Sequence, residues 1–211
     1  GVYHGPDGLR TIAQRIHRLT QVLASGLKAG GFSLENANFF DTLSVRVDEP
    51  QRSAIIQSAI DAEINLRTDR EGVIGISVNE CTTPEHIDRL LEAFGASAHS
   101  VAELDHTLSA EAVGFDEALK RTSAFMTHEV FGQFHSETEM LRYLKRLENK
   151  DLSLTHSMIP LGSCTMKLNA TAEMIPVSWP AFAGLHPFCP HEQARGYHQL
   201  IEQLEDMLCR I

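Results

Sequence analysis

The chain has 211 residues and a net charge of -10, with 18 Lys and Arg against 28 Asp and Glu and 43% hydrophobic residues. That balance describes a globular protein long enough for one large domain or two small ones, and it excludes disordered and collagen-like chains. The acidic surplus argues against nucleic acid as a partner, because phosphates are bound by Lys and Arg, and no apolar run approaches the roughly 20 residues that span a bilayer.

In chain order, residues 8–28 carry Leu9, Ile12, Ala13, Ile16, Leu19, Leu23 and Leu27 at helical spacing. Gly30-Gly31 ends that helix, as glycine does where φ must turn positive. Residues 39–47 read as a strand, Leu43, Val45 and Val47 alternating against Ser44 and Arg46. Helix returns over 51–63 through Ile55, Ile56, Ala59 and Ile60, and 64–66 and 73–78 read as short strands. Thr83 then offers a capping hydroxyl and Pro84 a first helical position to a helix that stops near Gly95. This order predicts an α+β unit of about one hundred residues, a small, mainly antiparallel sheet covered by helices on one side. Nothing in it looks catalytic.

Residues 96–109 are small and polar and read as a linker, followed by a weak helical patch over 117–121. A stronger helix begins at Ser136, which stands at capping-box spacing from Glu139, with Met140, Leu141, Leu144 and Leu147 on one face. A short helix is expected over 170–175. Three prolines make 179–190 extended and irregular, and a last helix over 191–211 is apolar at Ala194, Tyr197, Ile201, Leu204 and Leu208. No initiator Met precedes Gly1, and the helical pattern still runs at Cys209-Arg210-Ile211, so an internal piece of a longer polypeptide is expected.

Cys81, Cys164, Cys189 and Cys209 form no Cys-x-x-Cys pair, the pattern of reduced thiols rather than of a secreted disulfide framework. The 11 histidines include no His-x-x-x-His on an expected helix, and no metal site is expected.

The most polar-handled stretch is Pro160-Leu161-Gly162-Ser163-Cys164-Thr165-Met166-Lys167-Leu168-Asn169, which enters the short helix at 170–175. A loop entering a helix presents unpaired N–H groups, Gly162 lets the backbone approach a ligand, and Ser163 and Thr165 add hydroxyl donors suited to an anion. Ser163 and Thr165 read equally well as caps of that helix. Cys164 reads mainly as a buried thiol, and Lys167 as a solvated or anion-paired lysine rather than a Schiff-base former. His186, set between prolines and aromatics, and His4, in a turn before the first helix, read first as packed, hydrogen-bonded residues.

Phe134-His135-Ser136-Glu137-Thr138-Glu139-Met140, the 160–169 run, Trp179-Pro180 and His186-Pro187-Phe188 together resemble the P-protein family of the glycine cleavage system. Tyr3-His4-Gly5-Pro6, Arg15-Ile16-His17 and Asn65-Leu66-Arg67 resemble the same family, so the likeness covers essentially the whole chain. It implies an α/β architecture, part of a pyridoxal-phosphate (PLP) dependent type I transferase fold built from two tandem halves. Residues 1–95 would be the small C-terminal subdomain of the first half, 96–150 a linker with connecting helices, and 151–211 the start of the second, PLP-binding half.

The resemblance further implies an oxidoreductase that decarboxylates glycine and passes the aminomethyl group to the lipoyl group of the H-protein. PLP would be the cofactor of the full-length protein, with a homodimer in the bacterial cytoplasm or, alternatively, the mitochondrial matrix. The Schiff-base lysine would lie beyond Ile211, so no residue of this chain would be catalytic and the chain alone would bind little or no PLP. Ser163, Cys164, Thr165, Lys167 and Asn169 would lie near substrate or cofactor. The competing reading is a non-catalytic module for interaction or subunit contact.

Overall fold

The computed structural model describes residues 1–108, 117–151 and 170–211. They fall into two compact units, Gly1–Arg146 and Leu147–Ile211.

The first unit is built on helix α1, Gly5–Ala29, which starts at Gly5 with Pro6 in its first turn. Its C-terminal half is core: Val22, Leu23, Ala24 and Leu27 are almost wholly buried. Gly31, at φ +88°, rather than Gly30 makes the positive-φ exit. The chain then forms β1 (Ser33–Leu34), β2 (Thr42–Arg46), α2 (Gln51–Asp61), β3 (Val73–Ser77) and α3 (Pro84–Ala93). The sheet runs β1-β2-β3 and is antiparallel throughout, with Leu43 opposite Ile76 and Val45 opposite Ile74. Those four side chains form one cluster with Leu23 and Leu27 of α1, Ile55 of α2 and Ile87 and Leu91 of α3. Strand alternation puts Ser44, Arg46 and Ser77 on the other face, and none of the three is buried. The small antiparallel sheet with its helices is therefore as expected.

Two local expectations change. Residues 64–66 form no strand; the pairing reduces to one bridge, in which the Arg67 N–H donates to the Gly75 carbonyl at 3.0 Å and the Gly75 N–H to the Arg67 carbonyl at 2.8 Å. The cause lies upstream. Glu63 takes φ 59° and the Ile64 N–H is bonded to the Ala59 carbonyl, so these residues close the end of α2.

Within the stretch expected as a linker, Val101–Thr107 form helix α4. Its cap is reciprocal: the Glu103 N–H donates to Ser100 Oγ at 3.3 Å and the Ser100 N–H to Glu103 Oε2 at 2.9 Å. Val101 and Leu104 are buried in the same core as α1 and α3. Asp88 accepts the Val101 N–H, and Arg18 Nε donates to Asp105 Oδ1 at 2.5 Å. Ser100-x-x-Glu103 has the same spacing that marks the helix at Ser136, and seven residues with two apolar contacts are simply too short to show a period.

After a single 3-10 turn at Glu117–Leu119 and another at Glu129–Gly132, α5 spans Glu137–Glu148. In the second unit, α6 (Thr171–Met174) runs into a 3-10 turn at Ile175–Ser178. Pro180–Ala183 then form one helical turn, α7, where an extended stretch was expected. Pro180 supplies a pre-set φ at its start, and the Tyr197 hydroxyl donates to the Phe182 carbonyl at 2.7 Å. A 3-10 turn at His191–Ala194 precedes α8, Arg195–Cys209. No helix among the described residues is long and apolar enough to cross a membrane.

Leu104→Ala should destabilise the first unit by about 2–4 kcal/mol, as loss of a buried leucine does, whereas a residue in a solvated linker would cost almost nothing. A urea-unfolding midpoint measured with and without the substitution decides between the two.

Candidate functional site

The residues on which the sequence places a ligand, Ser163, Cys164, Thr165, Lys167 and Asn169, lie outside the described residues. Their downstream flank is described. Ala170 occupies the N-cap position of α6, and its N–H donates to Glu173 Oε2 at 3.1 Å.

The structure does bring together two motifs that lie more than a hundred residues apart. Gly5 has φ +62° and its N–H donates to the Gly1 carbonyl at 2.8 Å, turning Tyr3-His4-Gly5-Pro6 into the start of α1. Against this turn lies the Phe131–His135 stretch. His135 Nδ1 sits 2.7 Å from the Tyr3 carbonyl. A carbonyl only accepts, so Nδ1 carries a proton. A β-carbon at residue 5 would stand 2.5 Å from the Phe131 carbonyl oxygen and 2.9 Å from His135 Cε1, so only glycine fits both the backbone angle and the approach.

One residue on, the expected capping box forms. The Glu139 N–H donates to Ser136 Oγ at 3.3 Å, while the Ser136 hydroxyl and N–H donate to Glu139 Oε2 at 2.9 and 3.2 Å. The Ser136 hydroxyl first, then its N–H, hold the Glu139 carboxyl below the ordinary glutamate value. Within the same stretch Phe134 stacks on Tyr143 of α5 at 4.4 Å, and the Arg146 guanidinium lies over both rings at 5.2 and 5.4 Å.

The other motif residues are absorbed by the fold. Arg15 donates to the carbonyls of Glu80 and Thr82 at 3.1 and 2.8 Å, tying α1 to the loop before α3. His17 Nδ1 bonds the Phe40 carbonyl at 2.8 Å and its ring stacks on Phe40. Arg67 makes the single bridge to Gly75 and pairs with Asp69. His186 is hydrogen-bonded, its Nδ1 accepting the Phe188 N–H at 3.0 Å, but it is exposed and not packed away. With Cys189, His191, Tyr197 and His198 it lines an open cleft of about 470 Å³. Cys81, Cys189 and Cys209 are free thiols, and no group of His, Cys, Asp and Glu among the described residues could hold a metal ion.

A cofactor with a reactive carbonyl needs a lysine whose amine is partly desolvated. The described lysines, Lys28, Lys120, Lys145 and Lys150, are all exposed and do not fit that role. His135 was present in the sequence as part of the resemblance but carried no assigned role. A histidine directly before a capping box was the available signal, and its partner on residue 3 could not be guessed from spacing.

Residues 1–94 match the family model of the glycine cleavage system P-protein. Over 212 aligned positions, all of this chain, the sequence is 50% identical to the enzymes named glycine dehydrogenase (decarboxylating) of Salmonella newport (strain SL254) and Salmonella agona (strain SL483). The aligned region is 22% of each relative, so the chain spans about a fifth of the length of the curated proteins it matches. The resemblance carried by the separate motifs thus extends over every part of the chain.

Gly5→Ala should destabilise the first unit by about 1–3 kcal/mol, through the strained φ and the contact with the Phe131 carbonyl, with faster amide exchange at residues 131–135. The capping box of α5 has its own signature in acid. A carboxyl held below its unfolded value contributes stability that is complete above that value and is lost as pH falls through the lowered one. Amide protection in α5 should therefore drop on acidification below about pH 4.5. In Glu139→Gln that pH step should be missing from the start.

Proposed function

We propose that this chain, a relative of the glycine cleavage system P-proteins along its whole length, is part of a PLP-dependent glycine decarboxylase. In this reading the complete protein releases carbon dioxide from glycine and passes the aminomethyl group to the lipoyl arm of the H-protein. The observation that carries the proposal is the 50% identity maintained across all of the chain, where a shared small domain alone would have matched only one part. Residues 1–95 then correspond to the small subdomain closing the first half, 96–150 to the connection and 151–211 to the start of the second half. A homodimer in the cytoplasm of a bacterium completes the proposal.

PLP, when bound to the complete protein, withdraws electrons from the carbon that loses carbon dioxide. The resemblance implies a Schiff-base lysine that lies beyond Ile211, and Lys167 is therefore not assigned that role. The contribution of this chain is one wall of the site. Ser163 and Thr165 offer hydroxyls to a carboxylate, Gly162 permits close backbone approach, and Cys164, Lys167 and Asn169 stand beside them in sequence.

A second reading has its own observation. Leu141, Leu144 and Leu147 of α5, and Leu200, Ile201, Leu204, Met207 and Leu208 of α8, are all large apolar residues that are 40% or more exposed. Apolar faces on this scale favour contact with further protein, which is compatible with a catalytic whole and is all that a pure contact module would need.

The intact polypeptide decides. Purified from cells, it should show PLP absorbance that changes on adding glycine; a contact module would show none. In that protein Ser163→Ala or Thr165→Ala should lower turnover of labelled glycine carboxylate about 10–100-fold, the cost of removing a positioned donor, while Lys167→Gln should keep the cofactor absorbance.

A further inference from the structure

We propose that residues 125–135 form a strap that releases from the N-terminal half of α1 as one piece while the core of the first unit stays folded. None of residues 160–169 takes part, so this is independent of the decarboxylase reading.

The core and the strap use different halves of the same helix. After Gly5, the first buried residue of α1 is Leu19. Residues 125–135 lie on the half before it. They include no buried residue and no member of the core cluster, although Phe125, Met126, Phe131 and Phe134 are large and apolar. Loss of their contacts therefore takes nothing from the cluster of Leu23, Leu27, Leu43 and Ile74 that joins sheet to helices. Segments with few buried contacts and exposed hydrogen bonds are the ones that open below global unfolding.

The attachment itself rests on a few points. The Arg10 guanidinium lies 5.6 Å from the centre of the Phe125 ring, as does that of Arg121. Both border a cleft of about 580 Å³ whose apolar lining is Leu9 and Ala13 of α1 with Leu119 and Phe125. Gly5, the one buried residue of the N-terminal turn, lies against the Phe131 carbonyl. His135 closes the strap by donating from Nδ1 to the Tyr3 carbonyl at 2.7 Å, and both residues are exposed. Met126 takes φ 52°, a region that a residue with a β-carbon occupies at a cost, so the closed strap carries strain that release removes. One polar tie thus holds a segment that apolar burial does not lock. Release uncovers Gly5 and the Leu9 and Ala13 side of α1, and it frees the start of α5, which follows directly after His135.

Chymotrypsin tests this, because it cuts after phenylalanine only where the surrounding chain is free, and its rate follows the open population when opening is fast. In the 211-residue chain, initial cleavage after Phe131 is read by mass spectrometry and normalised to the same bond in a matching peptide. It should be at least about tenfold slower than in the peptide, yet precede any cut between residues 19 and 104. His135→Leu should raise it about fivefold, the worth of one hydrogen bond, and His135→Asn, whose side-chain N–H can replace Nδ1, should restore most of the protection. Amide exchange at Leu43, Val45, Ile74 and Ile76 should be the same in all three proteins. Cleavage as fast as in the peptide would mean that no strap closes, and cleavage only together with cuts in the core would mean that none opens separately. Either result overturns the proposal. So does an unchanged rate in His135→Leu, a His135→Asn that behaves like it, or core exchange that accelerates in step.

Discussion

The first unit depends on one helix serving two masters. At 25 residues α1 is roughly 37 Å long, more than the small sheet needs. Leu23 and Leu27, with no exposed surface, fix its C-terminal half against β2, β3 and α3. Its N-terminal half projects past that core, and the chain returns there more than a hundred residues later. Phe125 meets Arg10, Met126 and Phe131 approach Gly1, and His135 bonds the carbonyl of Tyr3. Whatever holds Leu23 and Leu27 in place therefore also sets the position of the stretch that leads into α5.

Polar ties make this arrangement specific where apolar burial alone would not. Arg15 and Arg18 sit on the exposed shoulder of α1 and reach carbonyls of separate segments, Glu80 and Thr82 for one, Asp105 and Leu108 for the other. Each guanidinium satisfies acceptors that a loop cannot satisfy internally, at a fork geometry lysine does not reproduce. The capping boxes at Ser100 and Ser136 act in the same way at the helix starts, each through a glutamate carboxyl held below its ordinary value by the serine it binds. At neutral pH these carboxylates are ionised and the caps are complete.

Much of the fold was legible because its signals were local and repeated. The apolar stripe of α1, the alternation of Leu43, Val45 and Val47, and the Thr83-Pro84 start each state an element within a few residues. The losses share a cause: they rest on partners distant in sequence. Val101 and Leu104 look like two stray apolar residues until α1 and α3 supply the wall they pack on. The turn at Glu63 closes α2 where composition allowed a strand. The cleft at Arg10 and Arg121 has no sequence signature, because nothing in either neighbourhood says that both will face Phe125. The 160–169 run was legible as chemistry, from its density of hydroxyl, thiol, ammonium and amide groups, without any statement of geometry.

The motifs that carry the family likeness do not all carry chemistry, and the structure sorts them. The side chains of Arg15, His17 and His135 are each engaged with a backbone carbonyl, that of Arg67 with Asp69, and Gly5 serves a close backbone approach. A side chain committed in this way stabilises the fold and has little freedom left to meet a substrate. Similarity at those positions therefore supports a shared architecture more than a shared reaction. The chemistry we propose rests instead on Ser163, Thr165 and their neighbours, the richest set of polar handles in the sequence. A sequence so dense in polar groups has a cost wherever its donors leave water unpaired, and that physical argument, not a geometry, is what motivates the proposed ligand.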